Sequence, residues 1–167
     1  MSLKTEIDLY NYQRGAIDKI FERFEDCPND YHLLYQLPTG GGKTIIFSEI
    51  VRQYLRLKKK KVVVLTHRIE LCNQTSKVLS DFGVLNKVIN SKASLDDQEN
   101  YSCFVAMVET LNNRLIDDKI DISDVGLVII DEAHYNSFTK LFKFFSSAFM
   151  LGAVSYTHLT LPTKLAV

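Results

Sequence analysis

The chain has 167 residues, of which 46% are hydrophobic, so it can bury one sizeable core but is too short for two complete domains. Its 20 basic and 20 acidic residues give a formal charge of zero, so bulk electrostatics provide no argument for nucleic-acid binding and any basic surface must be local. The three cysteines lie far apart, which argues against a disulfide framework and against paired zinc ligands, and agrees with a reducing compartment.

Apolar periodicity predicts strands that alternate with amphipathic helices. Apolar residues at helical spacing indicate a first helix from Ile17 to Phe24 and a second from Phe47 to Leu55. The predicted strands are residues 32–37, 62–66, 104–107 and 125–130. This alternation predicts an α/β fold in three layers, with a mainly parallel central sheet of about six or seven strands covered on both faces.

Three other segments receive structural interpretations. The polar stretch 90–100 is predicted to be a surface loop with one helical turn. The lysine run 58–61 is predicted to be a solvated helix end that leads into the next strand, with a basic patch as the alternative. Apolar residues from Phe138 to Phe149 fall at helical spacing and predict a core-facing helix. The apolar run 141–154 is too short to span a bilayer, and the N-terminus lacks the apolar segment of a signal peptide, so we expect a cytoplasmic protein without a membrane partner.

The segment between the first predicted strand and the second helix is rich in glycine. It reads Leu37-Pro38-Thr39-Gly40-Gly41-Gly42-Lys43-Thr44. Consecutive glycines permit backbone angles closed to other residues and let main-chain N–H groups converge on an anion. Lys43 can then reach the β- and γ-phosphates of a nucleotide, and the Thr44 hydroxyl is placed to hold Mg²⁺ where the helix begins. We therefore predict a phosphate-binding loop from Pro38 to Thr44; the alternative is a glycine-rich turn that binds nothing.

Two carboxylates follow the last of these strands, as Asp131 and Glu132. The strand is a nearly continuous apolar run, as expected where a parallel sheet is buried on both faces. Open α/β sheets bind ligands at the carboxyl ends of their strands, so both carboxylates can face the phosphates. Asp131 is then a candidate ligand of Mg²⁺, and Glu132 a candidate to polarise the attacking water. The alternative is a solvated strand end.

Residues 37–44 and 128–134 together look like motifs I and II of the superfamily 2 DEAD/DEAH-box helicases, and the similarity extends across roughly residues 8–153. Within that superfamily the chain is most similar to XPB-like helicases and to the motor subunits of restriction enzymes. The resemblance implies the first RecA-like domain of a P-loop NTPase, with ATP and Mg²⁺ as cofactors. It also implies catalytic roles for Lys43, Asp131 and Glu132, and Mg²⁺ ligation by Thr44 and Asp131.

The resemblance implies three further contacts. Gln13 is similar to the glutamine that reads adenine, and a side-chain amide can both accept from the adenine amino group and donate to a ring nitrogen; a helix cap or a solvated residue is the alternative. Arg68, with a hydroxyl and exposed helix N–H groups at the same strand-to-helix turn, would grip a nucleic-acid phosphate; a salt bridge with Glu70 or Glu99 is the alternative. Thr110 would contact another phosphate, or would be an N-cap.

The end of the chain departs from the family pattern. The family continues with a Thr-Ala-Thr-type motif and a proline, and that motif is absent here. We predict a helicase ATP-binding domain over residues 1–153 and an atypical tail over residues 154–167, which resembles translated read-through of a sequencing adapter; a divergent natural tail is the alternative. The second RecA-like domain, which in the family completes the cleft, is expected to be missing.

The sequence thus predicts the ATP-binding motor domain of an ATP-dependent DNA or RNA helicase or translocase, an ATP hydrolase that is weak or inactive without its second domain. A nucleic-acid partner is expected, DNA rather than RNA. One alternative is an ABC-type or switch ATPase, although no Leu-Ser-Gly-Gly-Gln signature is present. Another is a non-catalytic nucleic-acid-binding or subunit-interaction module that keeps the P-loop fold.

Overall fold

The computed structural model describes residues 9–38, 42–117, 120–132 and 136–156. Its helices are α1 (Asn11–Asp26), α2 (Lys43–Lys58), α3 (Ile69–Asp81) and α4 (Val108–Ile116), with 3₁₀ segments at Gln98–Asn100 and Asn136–Phe144. Its strands are β1 (His32–Pro38), β2 (Lys61–Thr66), β3 (Asn86–Ile89), β4 (Cys103–Met107), β5 (Val125–Asp131) and β6 (Phe149–Tyr156).

The six described strands form one sheet in the order β1-β6-β5-β2-β4-β3, and every neighbouring pair is parallel. Each return from one strand to the next parallel strand needs a crossover connection, and helices supply most of these. The predicted α/β class with a mainly parallel sheet is therefore confirmed. Because all strands run the same way, their carboxyl ends meet at one edge of the sheet.

The sheet separates two hydrophobic cores. Successive side chains of a strand point to opposite faces, so Val62 and Val64 of β2 pack with α1, α2 and α3, whereas Val63 and Leu65 pack with α4 and the second 3₁₀ segment. All four of these side chains are buried. The continuous apolar run of β2 is thus explained by burial on both faces, and the three predicted layers are present.

The polar segments between these elements lie where the sequence predicts. The lysine run 58–61 spans the end of α2, an exposed left-handed residue at Lys59 with φ of 50°, and the first residue of β2. The loop 90–100 contains the single short 3₁₀ turn Gln98–Asn100. No helix in the described ranges has the length and apolar character needed to traverse a bilayer.

The predicted helix from Phe138 to Phe149 is wrong. The described chain forms a 3₁₀ segment that ends at Phe144, and Phe149 is the first residue of strand β6. Strand β6 lies between β1 and β5, and its residues from Phe149 to Val154 are buried because Phe149 faces one hydrophobic core and Met150 the other. A short apolar run of this kind has no polar face, and periodicity alone therefore cannot separate a buried strand from a buried helix.

Strand β6 extends past residue 153, where the predicted domain ends. Val154 is buried and pairs with Gln36, and the backbones of Ser155 and Tyr156 continue the ladder along β1. Residues 157–167 lie outside the described residues. The domain boundary therefore stays a prediction, with three residues of the predicted tail in register with the sheet.

Candidate nucleotide and nucleic-acid site

The carboxyl edge of the sheet collects the residues singled out in the sequence. Strand β1 leads into the glycine-rich loop, and β5 ends at Asp131. Strand β2 leads to Arg68, and the neighbouring β4 leads directly into α4, which carries Thr110. Candidate nucleotide residues thus lie on the β1–β6–β5 side, and candidate nucleic-acid residues on the β2–β4 side of the same edge.

Lys43 joins the glycine-rich loop to the two carboxylates. It is the first residue of α2, and its Nζ lies 3.1 Å from Oδ1 of Asp131 and forms an ion pair with Oε1 of Glu132. The side chains of Lys43, Asp131 and Glu132 are 16%, 13% and 22% exposed, so the cluster is shielded but open to solvent. Residues from two distant parts of the sequence therefore meet in space.

Two local features of this cluster suit a reaction centre. Glu132 has a φ of 55°, in the left-handed region that non-glycine residues seldom occupy, and such backbone strain often occurs at functional sites. Oδ1 of Asp131 is buried and has no hydrogen-bond donor among the described residues, because Lys43 approaches it without hydrogen-bond geometry. A buried carboxylate oxygen in this condition fits a hard oxygen-seeking cation such as Mg²⁺.

Gln13 of helix α1 packs against the same glycine-rich loop. It lies in the first turn of α1, is 4% exposed, and its Oε1 accepts a hydrogen bond of 2.9 Å from the Tyr10 N–H. A Cβ placed on Gly42 would lie 2.6 Å from Nε2 of Gln13, and Gly42 also has a φ of 77°. Only glycine fits at position 42 on both grounds. Gln13 therefore caps α1 and packs on the loop, and the alternative of a solvated residue is wrong.

Of the other residues of the glycine-rich loop, the structure describes Pro38, Gly42 and Thr44. Thr39, Gly40 and Gly41 lie outside the described residues, as does His134. Pro38 is the last residue of β1, and Thr44 is the half-buried second residue of α2. Gly42 is the N-cap of α2, and its carbonyl accepts the first helical hydrogen bond from Ile46 at 3.1 Å.

Arg68 occupies the turn between β2 and α3. It is the N-cap residue of α3, its side chain is exposed, and among the described residues it pairs with neither Glu70 nor Glu99. The alternative, a salt bridge between Arg68 and Glu70 or Glu99, is therefore not found among the described residues. The hydroxyl predicted to face a phosphate at this turn is that of Thr66, at the end of β2. This prediction is wrong, because Thr66 is completely buried.

Thr110 is the third residue of α4 and is half-buried. The N-cap position belongs to Met107, so the alternative that Thr110 is an N-cap is wrong. The adjacent Glu109 forms an ion pair with Lys140, which ties α4 to the 3₁₀ segment that follows the Asp131-Glu132 strand. Arg114 of the same helix donates hydrogen bonds to the carbonyls of Asn90 and Ala93 at 2.9 and 2.8 Å, and so holds the loop after β3 against α4.

The parallel sheet, with Lys43 after β1 and an acidic pair at the end of β5, has the arrangement that the resemblance to the first RecA-like domain of superfamily 2 helicases implies. The family described as Type III restriction enzyme, res subunit, matches residues 6–154, and the chain belongs to this family.

Individual relatives agree with this assignment. The chain is 34% identical over 150 residues to the helicase-family protein IRC3 of Saccharomyces cerevisiae, covering 84% of the chain and 21% of that protein. It is 25% identical over 171 aligned positions to the ATP-dependent DNA helicase MPH1 of Scheffersomyces stipitis, covering 92% of the chain and 15% of that protein. The UvsW helicase of bacteriophage T4 shares the fold with a TM-score of 0.68 at 23% identity, covering 91% of the chain and 54% of that structure. The chain thus spans about a fifth of IRC3 and less of MPH1.

Proposed function

We propose that the chain is the ATP-binding motor domain of an ATP-dependent DNA helicase or translocase. The cluster of Lys43, Asp131 and Glu132, which joins the start of α2 to the end of β5, carries the proposal. Phosphoryl transfer to water requires positioned positive charge on the phosphates and a group that orients the attacking water. At the carboxyl edge of the parallel sheet, the Lys43 ammonium supplies the positive charge, and the neighbouring carboxylates include a group that can orient the water.

Each side chain has a distinct task in this proposal. Lys43 holds the β- and γ-phosphates, and the N–H groups at the start of α2 face the same charge. Thr44 and Asp131 would hold Mg²⁺, which would supply positive charge to the phosphoryl oxygens. Glu132 orients the attacking water and accepts its proton.

The ion pair between Lys43 and Glu132 gives the site an order of events. Phosphate oxygens compete with Glu132 for the Lys43 ammonium, since both are anions within its reach. When the phosphates take the ammonium, Glu132 leaves this ion pair and its carboxylate can turn to the attacking water. Nucleotide binding therefore comes before the water is oriented.

The strand-binding side of the proposal rests on Arg68 and Thr110. Both follow neighbouring strands at the carboxyl edge, and the Arg68 guanidinium is exposed. Contacts to phosphates position a strand but carry no base information, so binding is expected to be independent of sequence. DNA is the proposed substrate because the relative MPH1 is a DNA helicase by name. A second RecA-like domain completes the cleft, in keeping with the greater length of the relatives.

Nucleotide binding by the chain itself tests the proposal. Calorimetry should detect weak binding of MgATP or MgADP, and Lys43→Ala should abolish it, because the ammonium is the only cation described next to the Asp131-Glu132 pair. Lys77→Ala, on the exposed face of α3, is the matched control and should bind as the wild type does. Equal affinity in the wild type and Lys43→Ala would refute the phosphate-loop assignment. Failure of the wild type to bind nucleotide at all would favour the non-catalytic module.

A further inference from the structure

Thr66 is a polar side chain in a place where polarity is costly. It is the last residue of β2 and is 0% exposed. A buried hydroxyl destabilises a fold unless hydrogen bonds replace its lost contact with water. The partners of the Thr66 hydroxyl therefore indicate what it does.

Those partners form a closed ring of three hydrogen bonds. The Thr66 hydroxyl donates to the Arg68 carbonyl at 3.1 Å. Its Oγ1 also lies 2.9 Å from Sγ of Cys72, and since its one hydrogen is already used, the Cys72 thiol must be the donor. The Cys72 backbone N–H in turn donates to the same Arg68 carbonyl at 3.2 Å. Burial raises the pKa of the Cys72 thiol above its ordinary value of 9.0, which keeps the donor proton in place at neutral pH.

The ring fixes the backbone of Arg68 without using its side chain. Arg68 is the N-cap of α3, with φ of −137° and ψ of 144°, and no side chain caps the helix. Most helices are held at this point by a hydrogen bond from the N-cap side chain to the first turn. Here the Thr66 hydroxyl and the Cys72 N–H donate hydrogen bonds to the carbonyl of the N-cap residue. The exposed guanidinium of Arg68 takes no part in the ring.

We propose that Thr66 and Cys72 are positioning residues for the nucleic-acid contact made by Arg68. This inference rests on the proposed function, because it assumes that Arg68 binds a strand phosphate. The ring holds the backbone of Arg68 in one conformation, so the Arg68 side chain extends toward a strand phosphate from a fixed point of attachment. Removing the Thr66 hydroxyl breaks two of the three bonds and frees this turn, although no atom of Thr66 reaches the surface.

The experiment measures affinity for a single-stranded DNA oligonucleotide at several salt concentrations. Thr66→Val keeps the shape and removes the hydroxyl, whereas Thr66→Ser keeps the hydroxyl. Thr75→Val is the matched control, since Thr75 is a buried threonine of α3 that lies outside the ring. Arg68→Ala and the double variant Arg68→Ala/Thr66→Val complete a double-mutant cycle, and MgADP affinity reports whether each variant keeps its nucleotide site.

If the inference is right, Thr66→Val weakens strand affinity by roughly 2- to 10-fold, the range of one lost hydrogen bond. It also lowers the salt slope toward that of Arg68→Ala, by up to about 0.7. Thr66→Ser keeps the wild-type strand affinity and salt slope, and Thr75→Val changes neither quantity. In the Arg68→Ala background, Thr66→Val causes no further loss of affinity. A merely structural role would instead give additive losses. If Arg68→Ala weakens binding but Thr66→Val does not, this inference alone is overturned. If Arg68→Ala changes nothing, the proposed strand site falls, and the inference falls with it.

Discussion

Lys43, Asp131 and Glu132 show how much three residue identities can specify. The order of glycines, Lys-Thr and a later Asp-Glu predicts that these side chains meet, and the ion pairs place them together. The residue types do not predict which of these side chains form ion pairs with one another. Lys43 lies against both carboxylates, and Glu132 has a left-handed backbone that only the tertiary fold can hold.

Glu132→Gln should separate binding from chemistry. In a protein that joins this domain to a second RecA-like domain, the substitution should lower ATP turnover by roughly 10²–10⁴-fold, the usual contribution of general acid–base catalysis. Nucleotide affinity should stay equal or increase, because the amide no longer holds Lys43 in an ion pair. Steady-state hydrolysis and nucleotide titration give the two quantities. Glu70→Gln, an exposed acid of α3, is the control, and unchanged turnover in Glu132→Gln would remove Glu132 from the reaction.

Thr66 is a residue whose environment was predicted wrongly from the sequence. A threonine that ends an apolar strand and precedes His67-Arg68 is interpreted from sequence as part of a phosphate-facing surface. The structure buries it and turns its hydroxyl toward the Arg68 carbonyl. Sequence spacing cannot distinguish the two arrangements, because both place a hydroxyl within two residues of the same arginine, and only the packing of α3 on the sheet selects between them.

Helix α2 carries the phosphate-loop lysine at its start and a buried carboxylate in its second turn. Glu49 is 4% exposed and accepts hydrogen bonds from Arg52, at 2.7 and 2.5 Å, and from Gln53, at 2.8 Å. Burial alone would raise the pKa of Glu49, but the hydrogen bonds from Arg52 and Gln53 and the charges of Arg52 and Arg56 outweigh it, so the pKa is lowered. The helix is therefore stabilised by an ionised buried carboxylate.

Glu49→Leu should reduce the free energy of unfolding by about 1.5–3 kcal/mol at neutral pH, the range for hydrogen bonds to charged groups. A lowered folded-state pKa makes this contribution present above the unfolded-state value near 4.5, and it is lost as pH falls through the folded-state pKa. Denaturant titrations at pH 7 and at acid pH give the difference. Glu70→Leu, on an exposed face, is the control. An equal loss for Glu49→Leu at both pH values would contradict the charged role.

Strand β6 shows why one element of the fold was mispredicted. Most strands were predicted correctly, because each is apolar and bounded by polar turns. Residues from Phe138 to Phe149 also match helical spacing, but the chain changes from a 3₁₀ segment to a strand within them. The decision depends on the slot between β1 and β5, which a strand fills through backbone hydrogen bonds on both sides. That slot is a property of the assembled sheet.

At the scale of the whole molecule, the two candidate sites share one edge of a rigid sheet. Strands β5 and β2 are neighbours, so the Asp131-Glu132 end and the Arg68 turn are adjacent along that edge. The ion pair of Glu109 with Lys140 links the helix of Thr110 to the segment that follows the acidic pair. The two candidate sites are therefore neighbours in the fold.

The isolated chain should hydrolyse ATP poorly, with or without DNA or RNA, because the proposed cleft requires a second RecA-like domain. Addition of that domain in one polypeptide should raise turnover and make it respond to single-stranded DNA. A phosphate-release assay with each nucleic acid measures the response, and the Lys43→Ala form of the longer protein is the blank. Robust DNA-stimulated turnover by residues 1–167 alone would contradict the need for a second domain.

The sequence by itself determined the class of fold and predicted a phosphate-binding site at the edge of the sheet. Buried parallel strands must be apolar throughout, and a phosphate loop needs glycines followed by Lys-Thr, so both are written in local residue order. Tertiary structure alone decided that Gln13 packs on Gly42, that Thr66 and Cys72 hold Arg68, and that β6 is a strand. Each of these depends on distances between segments remote in the chain or on the opposite faces of one turn. Local periodicity contains no such distances, because packing sets them only when the sheet and its helices assemble.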